Sequence, residues 1–104
     1  MDDVRSFPPV FAICGIKNSG KTTLVSAVVK ILTAKGYNIA VIKHDGHDFT
    51  PDVPGTDSFC HREAGAFGVG VISSRRYMLT KETPITIEEM TKKFPEADLI
   101  LLEG

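Results

Sequence analysis

The chain has 104 residues and a formal net charge of -1, enough for one compact domain and short for two. Its apolar share of 42% is ordinary for a globular protein, and the near-neutral balance argues against a general polyanion binder, so nucleic acid is not an expected partner. No apolar run is long enough to span a membrane, and the acidic start Met1-Asp2-Asp3 lacks the basic flank and apolar core of a signal peptide, so no membrane partner is expected and the cytoplasm is the expected compartment.

Pro8-Pro9 stops regular structure, and residues 1–9 read as a flexible N-terminal arm. Val10–Cys14 is short, continuously apolar and bounded by turn residues, which predicts a fully buried strand with Cys14 as a small core residue. Cys60 is far away in the sequence, and the two cysteines make no disulfide framework. From about Gly20 to Lys35 the apolar period becomes helical, with Leu24, Val28, Ile31 and Leu32 on one stripe and Val25 and Val29 beside it. Gly36 suits the left-handed position after a helix. Asn38–Lys43 predicts a second strand, parallel to the first in a βαβ unit.

The stretch from His44 to Ser58 has no apolar period and is rich in Gly, Pro, Asp and His, which predicts a long loop. Thr56, Asp57 and Ser58 can each cap a short helix through "FCHREAGA". Phe67–Ser73 predicts a strand, with Arg75–Thr80 as its candidate partner, either by a hairpin through Ser73-Ser74 or by a looser turn. "ITIEEMTKKF" is an amphipathic helix capped by Thr86, with acidic residues early and lysines late, as the macrodipole prefers. "ADLILLEG" is the last strand. Alternating strands and helices predict an α/β fold, a mainly parallel sheet flanked by helices.

One motif carries chemistry. Gly15-Ile16-Lys17-Asn18-Ser19-Gly20-Lys21-Thr22 fits G-x-x-x-x-G-K-[ST] between a predicted strand and a predicted helix. Glycines let backbone N–H groups turn inward around a phosphate, and the helix N-terminus adds further donors. Lys21 can reach the β- and γ-phosphates, and the Thr22 hydroxyl can ligate Mg2+. The domain is therefore expected to be P-loop NTPase-like over residues 10–104.

Such a loop needs an acid at the carboxyl end of a neighbouring strand. "DLILLEG" offers Asp98 and Glu103, roughly 16 Å apart at the usual strand rise. Only Glu103 lies at the carboxyl end, so it is assigned to magnesium or its water and Asp98 to strand entry. Asp45 closes the second strand and could join the magnesium shell or orient an attacking water, or simply cap a turn. His44, His47, Cys60, His61 and Arg62 cluster in the middle of the chain. Their spacing fits no common zinc pattern. An anion- or ring-binding surface, with Arg62 forking onto a phosphate, is the alternative.

Taken together, "GIKNSGKTTL", "VIKHDGHDF", "PGTDSFCHREAGA" and "DLILLEG" resemble the MobB family, the P-loop GTP-binding adapter proteins of molybdopterin-guanine dinucleotide biosynthesis. The resemblance runs from Phe11 to Gly104 and is most specific between Lys43 and Ala66. It implies a homodimeric protein that binds GTP and Mg2+, hydrolyses GTP weakly, and assists the nucleotidyltransferase joining GMP to molybdopterin. It also implies Gly15, Asn18, Ser19, Gly20, Lys21, Thr22 and Thr23 as the phosphate loop, with Thr22 and Glu103 at the metal. Asp57, Ser58 and Arg62 would border the nucleotide, and Asp45 and Glu103 would serve hydrolysis.

Family members usually continue past "LLEG" with further strands and a base-binding region. The domain is therefore expected to be incomplete at its carboxyl end, with the base preference open. An uncovered flank beside the last strand is expected to drive self-association. Two other classes compete, a small-molecule kinase and a non-catalytic assembly module. Turnover with candidate acceptors, and thermal response to GTP against ATP, separate them.

Overall fold

The computed structural model describes residues 8–15, 20–45, 49, 51 and 55–104. It divides into two compact units, one of Met1–Gly46 with Ile85–Gly104 and one of His47–Pro84.

The first unit is a three-stranded parallel sheet with helices. Its strands are β1 (Val10–Ile13), β2 (Ile39–Lys43) and β5 (Leu99–Glu103), in the order β1-β5-β2. Helix α1 (Lys21–Ala34) connects β1 to β2, and the short helix α3 (Ile87–Thr91) precedes β5. β1 and β2 are parallel as the βαβ pattern predicts, but β5 lies between them. The last strand is thus the centre of the sheet and not a flank awaiting cover. Ile100 and Leu101 are neighbours on β5 and point to opposite faces, yet both are 0% exposed, so β5 is covered on both sides. With Val25 and Ile42 they form the buried apolar core.

The edges are less well covered. Phe11 and Val41 stand in register on either side of Leu101 and share its face, yet Phe11 is 62% and Val41 40% exposed. α1 buries Val25, and Val28, Val29 and Leu32 are half-buried, whereas Leu24 and Ile31 are exposed. The helix is therefore turned away from the stripe centred on Leu24 and Ile31. Both stripes satisfy a 3.6-residue period on so apolar a helix, and packing against β5 and β2 selects one. Cys14 is exposed and lies one residue past β1, which corrects its expected core position.

α1 ends in a full Schellman motif. The Gly36 N–H donates to the Thr33 carbonyl at 3.0 Å and the Tyr37 N–H to the Leu32 carbonyl at 3.2 Å, with Gly36 at φ 96. α3 opens with a capping box. The Glu89 N–H donates to Thr86 Oγ1 at 3.0 Å, while the Thr86 N–H donates to Glu89 Oε1 at 3.1 Å.

The second unit holds α2 (Asp57–Glu63) and an antiparallel hairpin of β3 (Gly68–Ile72) and β4 (Tyr77–Lys81). Thr56 is the N-cap of α2, its hydroxyl accepting from the Phe59 N–H at 3.4 Å. The helix stops at Glu63, short of the expected Ala66, because Gly65 takes a positive φ of 108. The hairpin turn is closed by the Ser73 N–H donating to the Arg76 carbonyl at 2.9 Å. Its pairing is the expected one, in a two-stranded sheet of its own.

Two consequences are measurable. An added Cβ at Gly36 meets no atom within 4 Å, so the cost of Gly36→Ala is torsional alone. It should lower unfolding stability by about 1 kcal/mol, read as a lower urea midpoint at unchanged slope. Glu89 is held below the ordinary carboxyl value of 4.5, first by the Thr86 backbone N–H, then by the Thr86 hydroxyl, with Lys92 and Lys93 adding to it. A depressed native pKa contributes stability above the ordinary value, lost as pH falls through the native one. The parent should therefore exceed Glu89→Gln in stability at neutral pH, and the gap should close in acid. Paired urea titrations check this.

Candidate functional site

The three parallel strands end flush. Ile13, Glu103 and Lys43 are in register across β1, β5 and β2, so the carboxyl ends of all three strands form one edge. The Gly104 N–H donates to the Ile13 carbonyl at 3.2 Å and the His44 N–H to the Glu103 carbonyl at 2.9 Å, extending the pairing one residue past the strands on each side.

α1 begins over this edge. Gly20, at φ 89 and ψ 10, is its N-cap and contributes no side-chain cap. A side chain there would meet no atom but would hold an unfavourable left-handed backbone, so the glycine is needed for the turn itself. The first turn of α1 carries no acidic residue, and its N-cap, a glycine, supplies no side-chain hydrogen bond to the leading N–H groups. A helix start with a glycine N-cap, a lysine and two threonines is an electropositive end suited to an anion.

Two hydrogen bonds tie this helix start to the tip of β5. Thr22 Oγ1 donates to Glu103 Oε2 at 2.8 Å, and Lys21 Nζ donates to the Gly104 carbonyl at 2.7 Å. Glu103 is only 7% exposed. A carboxylate this buried ordinarily needs a cation, yet among the described residues its only bonded side chain is the neutral Thr22 hydroxyl. A hydroxyl and a carboxylate in contact are hard oxygen donors, and they fit a magnesium ion that keeps most of its waters.

The remaining predicted residues divide by unit. Gly15, Thr23 and Asp45 lie in the first unit and are exposed, Asp45 two residues beyond β2. Asp57, Ser58 and Arg62 lie in the second. There Arg62 rests its guanidinium carbon 5.3 Å from the Phe59 ring centre and places Nη1 3.9 Å from Glu63 Oε2. Ser58 Oγ is 3.4 Å from Thr56 Oγ1. Asn18, Ser19 and His47 lie outside the described residues. His44, Cys60 and His61 are exposed, and among the described residues no group of three or more His, Cys, Asp or Glu could hold a metal.

Asp98 sits at the opposite end of β5 from Glu103. It is exposed, and its Oδ2 accepts from the Asn38 N–H at 2.7 Å, while its own N–H donates to the Asn38 carbonyl at 2.7 Å. It clamps the start of β5 to the start of β2. Lys43, beside Glu103 at the flush edge, is a residue the motif search passes over. It lies in the "VIKHDGHDF" stretch without a role assigned there, and the strand register is what brings it beside Glu103.

The two acids should behave oppositely on substitution. Asp98→Asn weakens the charge-assisted bond at the strand entry and should lower the melting temperature by a few degrees. Glu103→Gln keeps an acceptor for Thr22 while removing a buried charge that has no bonded cation among the described residues, and should melt at or above the parent. Scanning calorimetry without nucleotide or metal distinguishes them.

The molybdopterin guanine dinucleotide synthesis protein B (MobB) family model matches residues 10–104. The chain is 39% identical to the molybdopterin-guanine dinucleotide biosynthesis adapter protein of Escherichia coli, over 96% of this chain and 61% of that protein. It is 34% identical to the Haemophilus influenzae protein of the same name, over 92% of this chain and 56% of that one. The crystal structure of Bacillus subtilis MobB superposes with a TM-score of 0.78 at 29% identity, covering 92% of this chain and 60% of that one. The chain thus spans about three-fifths of the length of the relatives it matches. With the family model matched along nearly the whole sequence and the fold shared, the chain belongs to the MobB family.

Proposed function

We propose that this chain forms the nucleotide-binding part of a GTP-binding accessory protein of molybdenum cofactor biosynthesis. In this reading it assists the nucleotidyltransferase that attaches GMP to molybdopterin, acts as a homodimer, and hydrolyses GTP slowly with Mg2+. The observation that carries the nucleotide reading is the contact of Thr22 with the buried Glu103 at the start of a helix whose N-cap is glycine. The biosynthetic role rests on family membership and on relatives named as adapter proteins; an adapter works through a partner protein.

Each residue has a definable task. The first-turn N–H groups of α1 and the Lys21 ammonium bind phosphate oxygens, with Lys21 exchanging the Gly104 carbonyl for them. The Thr22 hydroxyl and Glu103 hold the metal shell, Glu103 directly or through water. When bound, magnesium supplies charge neutralisation between neighbouring phosphates. Asp45, past the tip of β2, orients water for slow hydrolysis. Asp57, Ser58 and Arg62 are assigned to the nucleotide's border through the family motif. Among the described residues no helix is long and apolar enough to cross a membrane.

Calorimetric titration with GTP, GDP and ATP in the presence of Mg2+ tests this. Lys21→Ala should weaken GTP binding by at least about tenfold, the worth of one charge-assisted contact. Glu103→Gln should abolish the magnesium dependence of binding while the protein stays folded. Equal GTP affinity of parent and Lys21→Ala would remove the nucleotide assignment.

A further inference from the structure

We propose that Lys43 is a second cationic group of this site, one that contacts the terminal phosphate of a nucleoside triphosphate and so makes the chain favour tri- over diphosphate. The proposal rests on the nucleotide-binding reading above and adds a residue to it. Lys43 is the last residue of β2 and is in register with Glu103 on the adjacent parallel strand. Residues in register share a face of the sheet, and neighbouring strands lie about 4.8 Å apart. Glu103 reaches the first turn of α1 through Thr22, so Lys43 projects from the face over which that turn lies.

Its environment leaves its charge available. Lys43 is exposed, and among the described residues its ammonium makes no ion pair or hydrogen bond, not even with the neighbouring Glu103. That carboxylate is buried and turned to Thr22 instead. A lysine that merely ended a strand could pair with the acid beside it or snorkel away. Here the acid is engaged with the helix, leaving the flexible four-carbon stem of Lys43 free to carry its charge over the strand tips. Phosphates held at the α1 N-terminus extend along this same carboxyl edge. A diphosphate held by Lys21 and the helix start lacks the group that Lys43 would meet, so the two lysines should have separable effects.

The test measures GTP and GDP affinity with Mg2+ for the parent, Lys43→Ala, Lys43→Arg and Lys21→Ala, with melting temperatures confirming folded protein. Lys43→Ala should weaken GTP about tenfold and GDP less than about twofold, and Lys43→Arg should keep most of the parent's GTP preference. Lys21→Ala should weaken both nucleotides. If Lys43→Ala leaves the GTP-to-GDP ratio at the parent's value, whether both affinities fall or neither does, the Lys43 assignment is overturned while a Lys21 effect still upholds the nucleotide site. If Lys21→Ala changes neither affinity, the nucleotide reading fails and the Lys43 proposal fails with it.

Discussion

The site depends on the contact between Thr22 and Glu103. One residue begins a helix and the other ends a strand, eighty-one positions later, and their side chains meet at 2.8 Å. The bond anchors the start of α1 over the carboxyl edge of the sheet. It also gives a nine-tenths buried carboxylate its one side-chain hydrogen-bond donor among the described residues. A neutral hydroxyl offsets little of the cost of burying that charge. Among the described residues no cationic side chain is bonded to this carboxylate, and its oxygens with the Thr22 hydroxyl are of the hard-donor type that magnesium takes.

Glu103 ends the most buried of the described strands, β5. It pairs with a parallel strand on each side, and Ile100 and Leu101 are sealed on opposite faces. The backbone pairing continues one residue beyond it, through the Gly104 and His44 N–H groups. At its other end Asp98 clamps it to Asn38. The position of Glu103 is thus fixed by its backbone on both sides, as the placement of a functional side chain on a rigid element requires.

Much of the fold was legible from local chemistry. The Thr86 cap and the Gly36 turn each rest on residues a few positions apart, and so do the four fixed positions of the phosphate loop, whereas Thr56, Asp57 and Ser58 stayed equal candidates until the structure chose Thr56. Glu103 could be chosen over Asp98 because strand rise and direction alone separate the two ends. Less legible was the buried side of α1. A helix with apolar residues at Leu24, Val25, Val28, Val29, Ile31 and Leu32 offers two overlapping stripes, and its period cannot choose between them. Cys14 was misjudged because a continuous apolar run does not reveal where its strand stops, and here it stops one residue earlier.

By itself the sequence determined the elements, the Thr86 cap and the Gly36 helix end, the phosphate-loop motif and the α/β class, because each is a matter of residue type at short spacing. Only the tertiary structure decided that β5 runs between β1 and β2, that the tips of the three strands align, and that Lys43 stands beside Glu103. Parallel pairing joins segments remote in sequence through backbone groups that every residue carries, so it leaves little trace in residue identity. A lysine at the end of a strand looks like any solvated lysine until the register shows which acid lies next to it and which way that acid has turned.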